Sequence, residues 1–208
     1  MRVLIACEFS GVVRRAFLAH GHEAYSCDLL PAEDGEVHHH IIGDVAKLLD
    51  PTRFNVLWWD LLIAHPPCTY LTNSGVRWLF GGKGATRDPE RWKKMEAGAA
   101  FFLRLLNAPI NRIAVENPIM HKYAREIIGL RPDQIIQPWM FGHGESKATG
   151  LWLRGLPPLK PTRIVEGRTP RVHFASPGPD RWKERSRTLT GIAEAMAEQW
   201  GNVTSIKR

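Results

Sequence analysis

The chain has 208 residues, 44% of them apolar, and carries a net charge of +7. That length suits one domain, and the apolar share is too high for a wholly disordered chain. No stretch approaches the roughly 20 apolar residues of a membrane span, and MRVLIACEFSG at the start is too short an apolar run for a signal peptide. A cytoplasmic protein is expected.

In chain order, RVLIAC is an apolar, β-favouring run expected to be a buried strand. EFSG follows as a turn. VVRRAFLAHG then has apolar residues at helical spacing and stops at Gly21. HEAYSCDLL is a second strand with Asp28 near its end, and HIIGD a short third one ending at Asp44. VAKLLD is a short helix stopped by Pro51. A fourth strand is best placed at LLIAH, before Pro66-Pro67-Cys68. The stretch 69–94 is rich in Gly, Arg, Lys and Trp and is expected to be a mobile loop, although helical periodicity starts within it, at PERWKKMEAGAAFFLRLLNAP. RIAVENP is a fifth strand, HKYAREIIG a helix, and DQIIQPWMFG and TGLWLRG two more strands. Residues 156–181 have little pattern, and TLTGIAEAMAEQWG is a closing helix ended by Gly201.

Alternating strands and helices predict an α/β domain, with a mostly parallel sheet covered by helices on both faces. No full helix separates the last two strands, so that pair is expected to be antiparallel, with an antiparallel strand at the sheet edge. Ligands of such sheets collect beyond the carboxyl ends of the strands. Glu8 to Gly11, Asp28, Asp44, His65 to Cys68 and Glu116 to Pro118 all fall at such ends.

Three cysteines, Cys7, Cys27 and Cys68, without CxxC spacing argue against disulfides or zinc. The run His38 to His40 has no second ligand pair at metal spacing, so no metal is expected. The positive charge is concentrated: residues 154–187 hold nine basic side chains against three acids. A polyanion is the partner that such a segment suits.

The EFSG turn opens a helix but lacks the GxGxxG that a dinucleotide pyrophosphate needs. Asp28 can accept from both hydroxyls of a ribose, and Asp44 from an adenine amino group. Together they describe a nucleoside without a phosphate, which fits S-adenosylmethionine better than NAD. Cys68 follows two prolines at a strand end. At the start of a turn a cysteine is expected to have a lowered pKa and to be a nucleophile. A carboxyl at Glu116, one main strand later, can exchange a proton with a heterocycle.

These residues resemble a known set. Pro66-Pro67-Cys68 and Glu116-Asn117-Pro118 resemble the catalytic motifs of the cytosine-5 DNA methyltransferases, and Phe9-Ser10-Gly11 resembles their cofactor turn. Asp28 and Asp44 match the acids that family uses for ribose and adenine, and the closing helix resembles its last motif, which packs beside the first. The resemblance implies a Rossmann-like S-adenosylmethionine-dependent methyltransferase fold in a single domain, 1–208. It implies Cys68, Glu116 and Asn117 as catalytic residues. Glu8, Phe9, Ser10, Gly11, Asp28, Leu29, Asp44 and Pro66 would line the cofactor site.

The departures are specific. FSGVV is poorer in Gly than the usual turn, and no Gln-x-Arg strand is visible. FGHGESKATGLWL stands in its place, with Lys147 or Arg154 as the source of positive charge. The target-recognition region is reduced to the basic segment 155–187, as in compact, phage-type members.

The implied chemistry adds the Cys68 thiolate to C6 of a cytosine flipped out of its stack, then methylates C5. Loop 69–94 would close over the base, with Arg77, Lys83 and Arg87 on phosphate and Trp78 as a wedge or stacking platform. Arg181, Lys183 and Arg185 would hold DNA, duplex or single-stranded. A monomer is expected in a bacterial or phage-infected cell, with room left for a partner subunit. Three alternatives stay open: C5 chemistry on a free pyrimidine nucleotide, methylation of cytosine N4 or adenine N6, and an idle nucleic-acid-binding relative. The amino-methyltransferases carry Asp, Asn or Ser before Pro-Pro and an aromatic after it, where this chain has His65 and Cys68.

Overall fold

A computed structural model describes residues 1–81, 86–171, 174, 178 and 181–203. Seven strands form one sheet: β1 (Arg2–Ala6), β2 (Glu23–Asp28), β3 (His40–Ile42), β4 (Leu61–Ala64), β5 (Ile113–Pro118), β6 (Gln134–Ile136) and β7 (Thr149–Arg154). Their order is β3-β2-β1-β4-β5-β7-β6. The first five are mutually parallel, and β7 runs antiparallel to both β5 and β6. This is the Rossmann-like methyltransferase arrangement.

One detail differs from expectation. The antiparallel strand lies inboard of the edge, because β7 pairs with β5 over six residues, and the three-residue β6 takes the outer place. The turn that joins β6 to β7 contains no full α-helix, so the chain can only fold straight back.

Helices cover both faces. They are α1 (Val12–Ala19), α2 (Val45–Leu48), α3 (Pro89–Leu106), α4 (Lys122–Ile128), α5 (Arg181–Ser186) and α6 (Thr190–Gly201). The central strands are apolar on both sides, as strands sandwiched between helices must be. Val3, Ile5, Leu61 and Ile63 face a core with Phe17 of α1 and Met196 and Trp200 of α6. Leu4, Ala6, Leu62 and Ala64 face the opposite core, with Met95, Phe102 and Leu105 of α3. The closing helix α6 packs beside α1, and Trp200 donates its indole N–H to the Pro157 carbonyl at 2.9 Å.

Among the described residues of 69–94 there is regular structure. Residues Asn73–Leu79 form a 3-10 helix, and α3 already begins at Pro89, capped by Asp88 accepting from the Arg91 N–H. Leu79 and Gly75 are buried, which anchors the segment.

Candidate active site

Register builds the centre of the site. The last paired residues of β4 and β5 are Ala64 and Val115, so His65 and Glu116 emerge side by side at the carboxyl edge. His65 Nδ1 lies 2.9 Å from Glu116 Oε2, with side chains only 10% and 13% exposed. Burial alone would discharge both groups. The hydrogen bond and opposite charges outweigh it, raising the His65 pKa and lowering that of Glu116. Glu8 adds to the upward pull on His65, and Lys147 opposes it. Lys147 and a hydrogen bond with Thr188 further favour the ionised Glu116 carboxyl.

Cys68 sits on the same edge. Pro66 is buried and Pro67 exposed, and the chain turns just after them: the Cys68 carbonyl accepts from Leu71 and Thr72 N–H at 3.0 and 3.1 Å. The turn is tied down by His121, whose N–H donates to the Leu71 carbonyl and whose ring nitrogen Nε2 lies 2.9 Å from the Tyr70 carbonyl. The thiol is not lowered as the sequence suggested. Burial pushes its pKa up, and Glu116 adds to that, while Lys147 and Arg185 pull it down. Asn117 is fully buried, and its Nδ2 donates to the Pro118 carbonyl at 2.6 Å, fixing the chain just past Glu116.

The adjoining part of the edge gathers the other predicted residues. Cys7 ends β1 in a left-handed conformation, φ 59°, and its N–H donates to the Cys27 carbonyl at 2.7 Å. Gly11 needs its own left-handed φ of 68°, and a Cβ there would press on the Arg14 guanidinium and Asp34. Glu8 is 5% exposed and caps α1, accepting from Val13 N–H at 2.7 Å and Arg14 N–H at 3.2 Å. The buried Ser10 hydroxyl also lies within reach of Glu8. Asp28 and Asp44 both face the thiols of Cys7 and Cys27. After burial, their charges help push Cys27 up to about 12 and Cys7 well above the usual thiol range. One oxygen of Asp44 caps α2 through the Ala46 N–H, and one of Asp28 accepts from the Leu30 N–H. Leu29 is largely exposed beside them.

Two acids, a carboxylate-filled helix end and an aromatic suit a positively charged nucleoside. They do not suit a phosphate, because Glu8 already occupies the N–H groups an anion would need. The residues present therefore fit S-adenosylmethionine.

The basic residues divide. Lys147 lies on the same edge as Cys68 and Glu116, just before β7, and its Nζ donates to the Arg185 carbonyl at 2.9 Å. Arg154 does not join it. Arg154 pairs with Ile113 at the far end of β7, where its guanidinium donates to the carbonyls of Ala108 and Ile110. Arg181, Lys183 and Arg185 lie on α5, which folds back over the turn after β1: Trp182 meets the Phe9 ring at 5.6 Å, and Arg187 pairs with Glu33. Arg77 and Arg87 are exposed, with their guanidinium groups over Trp78 and Trp92. Trp78 is 54% exposed. Lys83 lies outside the described residues.

Sequence reasoning gave no role to His65, Thr188, His121 or Trp182. His65 had a usable signal: it directly follows the apolar run LLIA as Glu116 directly follows IAV. The other three meet their partners only through long-range folding.

No protein-family model matches the chain. No curated protein matches it. Similar solved structures include three methyltransferases. One is described as a DNA modification methyltransferase encoded within an E. coli prophage, at 14% identity and TM-score 0.45, covering 85% of this chain and 55% of that one. The Entamoeba histolytica methyltransferase EhMeth matches at 14% identity and TM-score 0.48, covering 86% and 60%. The S. pombe Dnmt2 methyltransferase matches at 18% identity and TM-score 0.44, covering 86% and 55%. The chain thus spans between 55% and 60% of the length of these structures. The fold assignment itself rests on strand order and direction.

Proposed function

We propose that the chain is a compact, phage-type DNA (cytosine-5)-methyltransferase that uses S-adenosylmethionine and a covalent Cys68 adduct. One observation carries this reading. Cys68 and Glu116, at the carboxyl ends of β4 and β5, share one sheet edge with Lys147 at the amino end of the antiparallel β7, and Asp28 and Asp44 lie on the same edge beyond β2 and β3. When bound, the cofactor supplies a methyl group carried on a sulfonium.

The residues of the chain do the rest. Cys68 gives its thiol proton to water and its sulfur bonds to C6, the C5=C6 electron pair moves into C4=C5, the C4=N3 pair moves to N3, and N3 takes a proton from Glu116. C5 is now electron-rich and accepts the methyl group. Loss of the C5 proton to water and breakage of the Sγ–C6 bond restore the aromatic ring, and N3 returns its proton to Glu116. Lys147 supplies the positive charge beside Glu116 for which the sequence offered both Lys147 and Arg154. It also holds down the thiol pKa against burial. The target base must leave its stack to reach Cys68. Arg77, Arg87 and Trp78 are suitably exposed to hold the strand around it.

The test is product identity. Labelled S-adenosylmethionine is incubated with duplex DNA, single-stranded DNA or dCMP, and the digest is analysed. The expected product is 5-methylcytosine from DNA. N4-methylcytosine or N6-methyladenine would sink the C5 reading, and label in dCMP alone would move the substrate to the free nucleotide.

A further inference from the structure

His65 has no part in the chemistry described so far, yet its Nδ1 lies within hydrogen-bond distance of Glu116 Oε2. Three charged groups face it besides the turn it belongs to. Glu116 on β5 is 2.9 Å away, Glu8 beyond β1 draws positive charge towards it, and Lys147 before β7 repels it. Its other ring nitrogen, Nε2, is buried and has no hydrogen-bond partner among the described residues. The ring's proton chemistry therefore runs through Nδ1 and Glu116.

The Glu116 carboxyl has a difficulty of its own. Lys147 and Thr188 both favour its ionised form, and an ionised carboxylate has no proton to give N3. A protonated partner removes the difficulty. Imidazolium with carboxylate, and imidazole with carboxylic acid, differ only by one proton moved along a 2.9 Å line. The proton then belongs to the pair rather than to either residue.

We propose that His65 is the positioning residue and proton reserve of Glu116, its Nδ1 holding the proton that the carboxyl passes to N3 when Cys68 bonds to C6. The inference rests on the C5 reading above. After the transfer His65 is a neutral imidazole with its remaining hydrogen on Nε2, Glu116 is again a carboxylate, and the proton returns from N3 through the carboxyl to Nδ1 when the adduct breaks. The charged pair is present below the raised pKa of His65 and is lost as pH rises through it.

The experiment compares wild type and His65→Gln in the pH profile of kcat for DNA methylation. A glutamine can still donate a hydrogen bond to Glu116 but cannot supply a proton. The variant is expected to lose about 100-fold in kcat at neutral pH, with KM for DNA little changed, and to recover towards acid pH, where Glu116 can hold its own proton. In parallel, nitrogen-15 NMR titration of His65 in wild type and Glu116→Gln is expected to show a pKa above the ordinary value, falling back in the variant. That titration carries the test if His65→Gln does not fold. A wild type that methylates C5 while His65→Gln keeps its pH profile would overturn the inference alone, as would a His65 that is neutral at neutral pH in wild type. A wild type that makes no 5-methylcytosine would overturn the C5 reading with it.

Discussion

Arg14 shows what a single residue can demand of its neighbours. Its side chain is fully buried in α1, where it donates to the Ser26 hydroxyl at 2.7 Å and pairs with Asp34. A buried guanidinium without its counter-charge is costly. Asp34→Ala should therefore lower stability by about 3 kcal/mol, the low end for a broken buried pair because Asp34 keeps contact with water. Chemical denaturation would check this. Burial alone would raise the Asp34 pKa, but Arg14 and Arg15 hold it down to about 2. Its contribution should be present above the ordinary carboxylate value and be lost as pH falls through the native one. The pairing was not legible in the sequence, because Asp34 lies 20 residues beyond Arg14 in an unpatterned loop. That Cys68 and Glu116 fall near strand ends was legible, because each follows an apolar run with proline within two residues. The raised pKa of Cys68 was not, since it depends on burial in the folded chain and on Glu116, 48 residues away.

Elements were easier to read where burial leaves a periodic trace. The apolar runs of β1, β4 and β5 and the spacing of α1, α3 and α6 place those elements within a few residues of their observed bounds. The order of β6 and β7 left no such trace, because a short strand of three residues reads the same at the edge or inboard. The 3-10 helix at Asn73–Leu79 was hidden by its own composition. Gly, Arg and Trp mark a loop by propensity, yet the segment is pinned from outside. Thr72 bridges to Met120, and the Trp92 indole donates to the Leu79 carbonyl at 2.9 Å. These are long-range contacts, and they override local preference. The pinning places the Cys68 turn firmly against the end of β5.

At the scale of the molecule, charge and fold converge on one edge. Strand order brings Asp28, Asp44, the Cys68 turn and Glu116 to one edge, and α5 brings its basic residues to the same place through Trp182 and Arg185. A basic surface beside that edge should hold a polyanion with a steep salt dependence. Replacing Arg181, Lys183 and Arg185 with Gln is expected to weaken DNA binding and to reduce the slope of log K against log salt by up to about 3. Fluorescence anisotropy over a salt series would check this, and an unchanged slope would make the segment a bystander. The central claim is covalent chemistry at Cys68, and trapping tests it most directly. Duplex DNA carrying 5-fluorocytosine is incubated with S-adenosylmethionine and either wild type or Cys68→Ala, then resolved under denaturing conditions. The account predicts a denaturant-resistant protein–DNA adduct with wild type and none with Cys68→Ala. An adduct that survives the substitution, or a variant that still makes 5-methylcytosine from ordinary DNA, would contradict it.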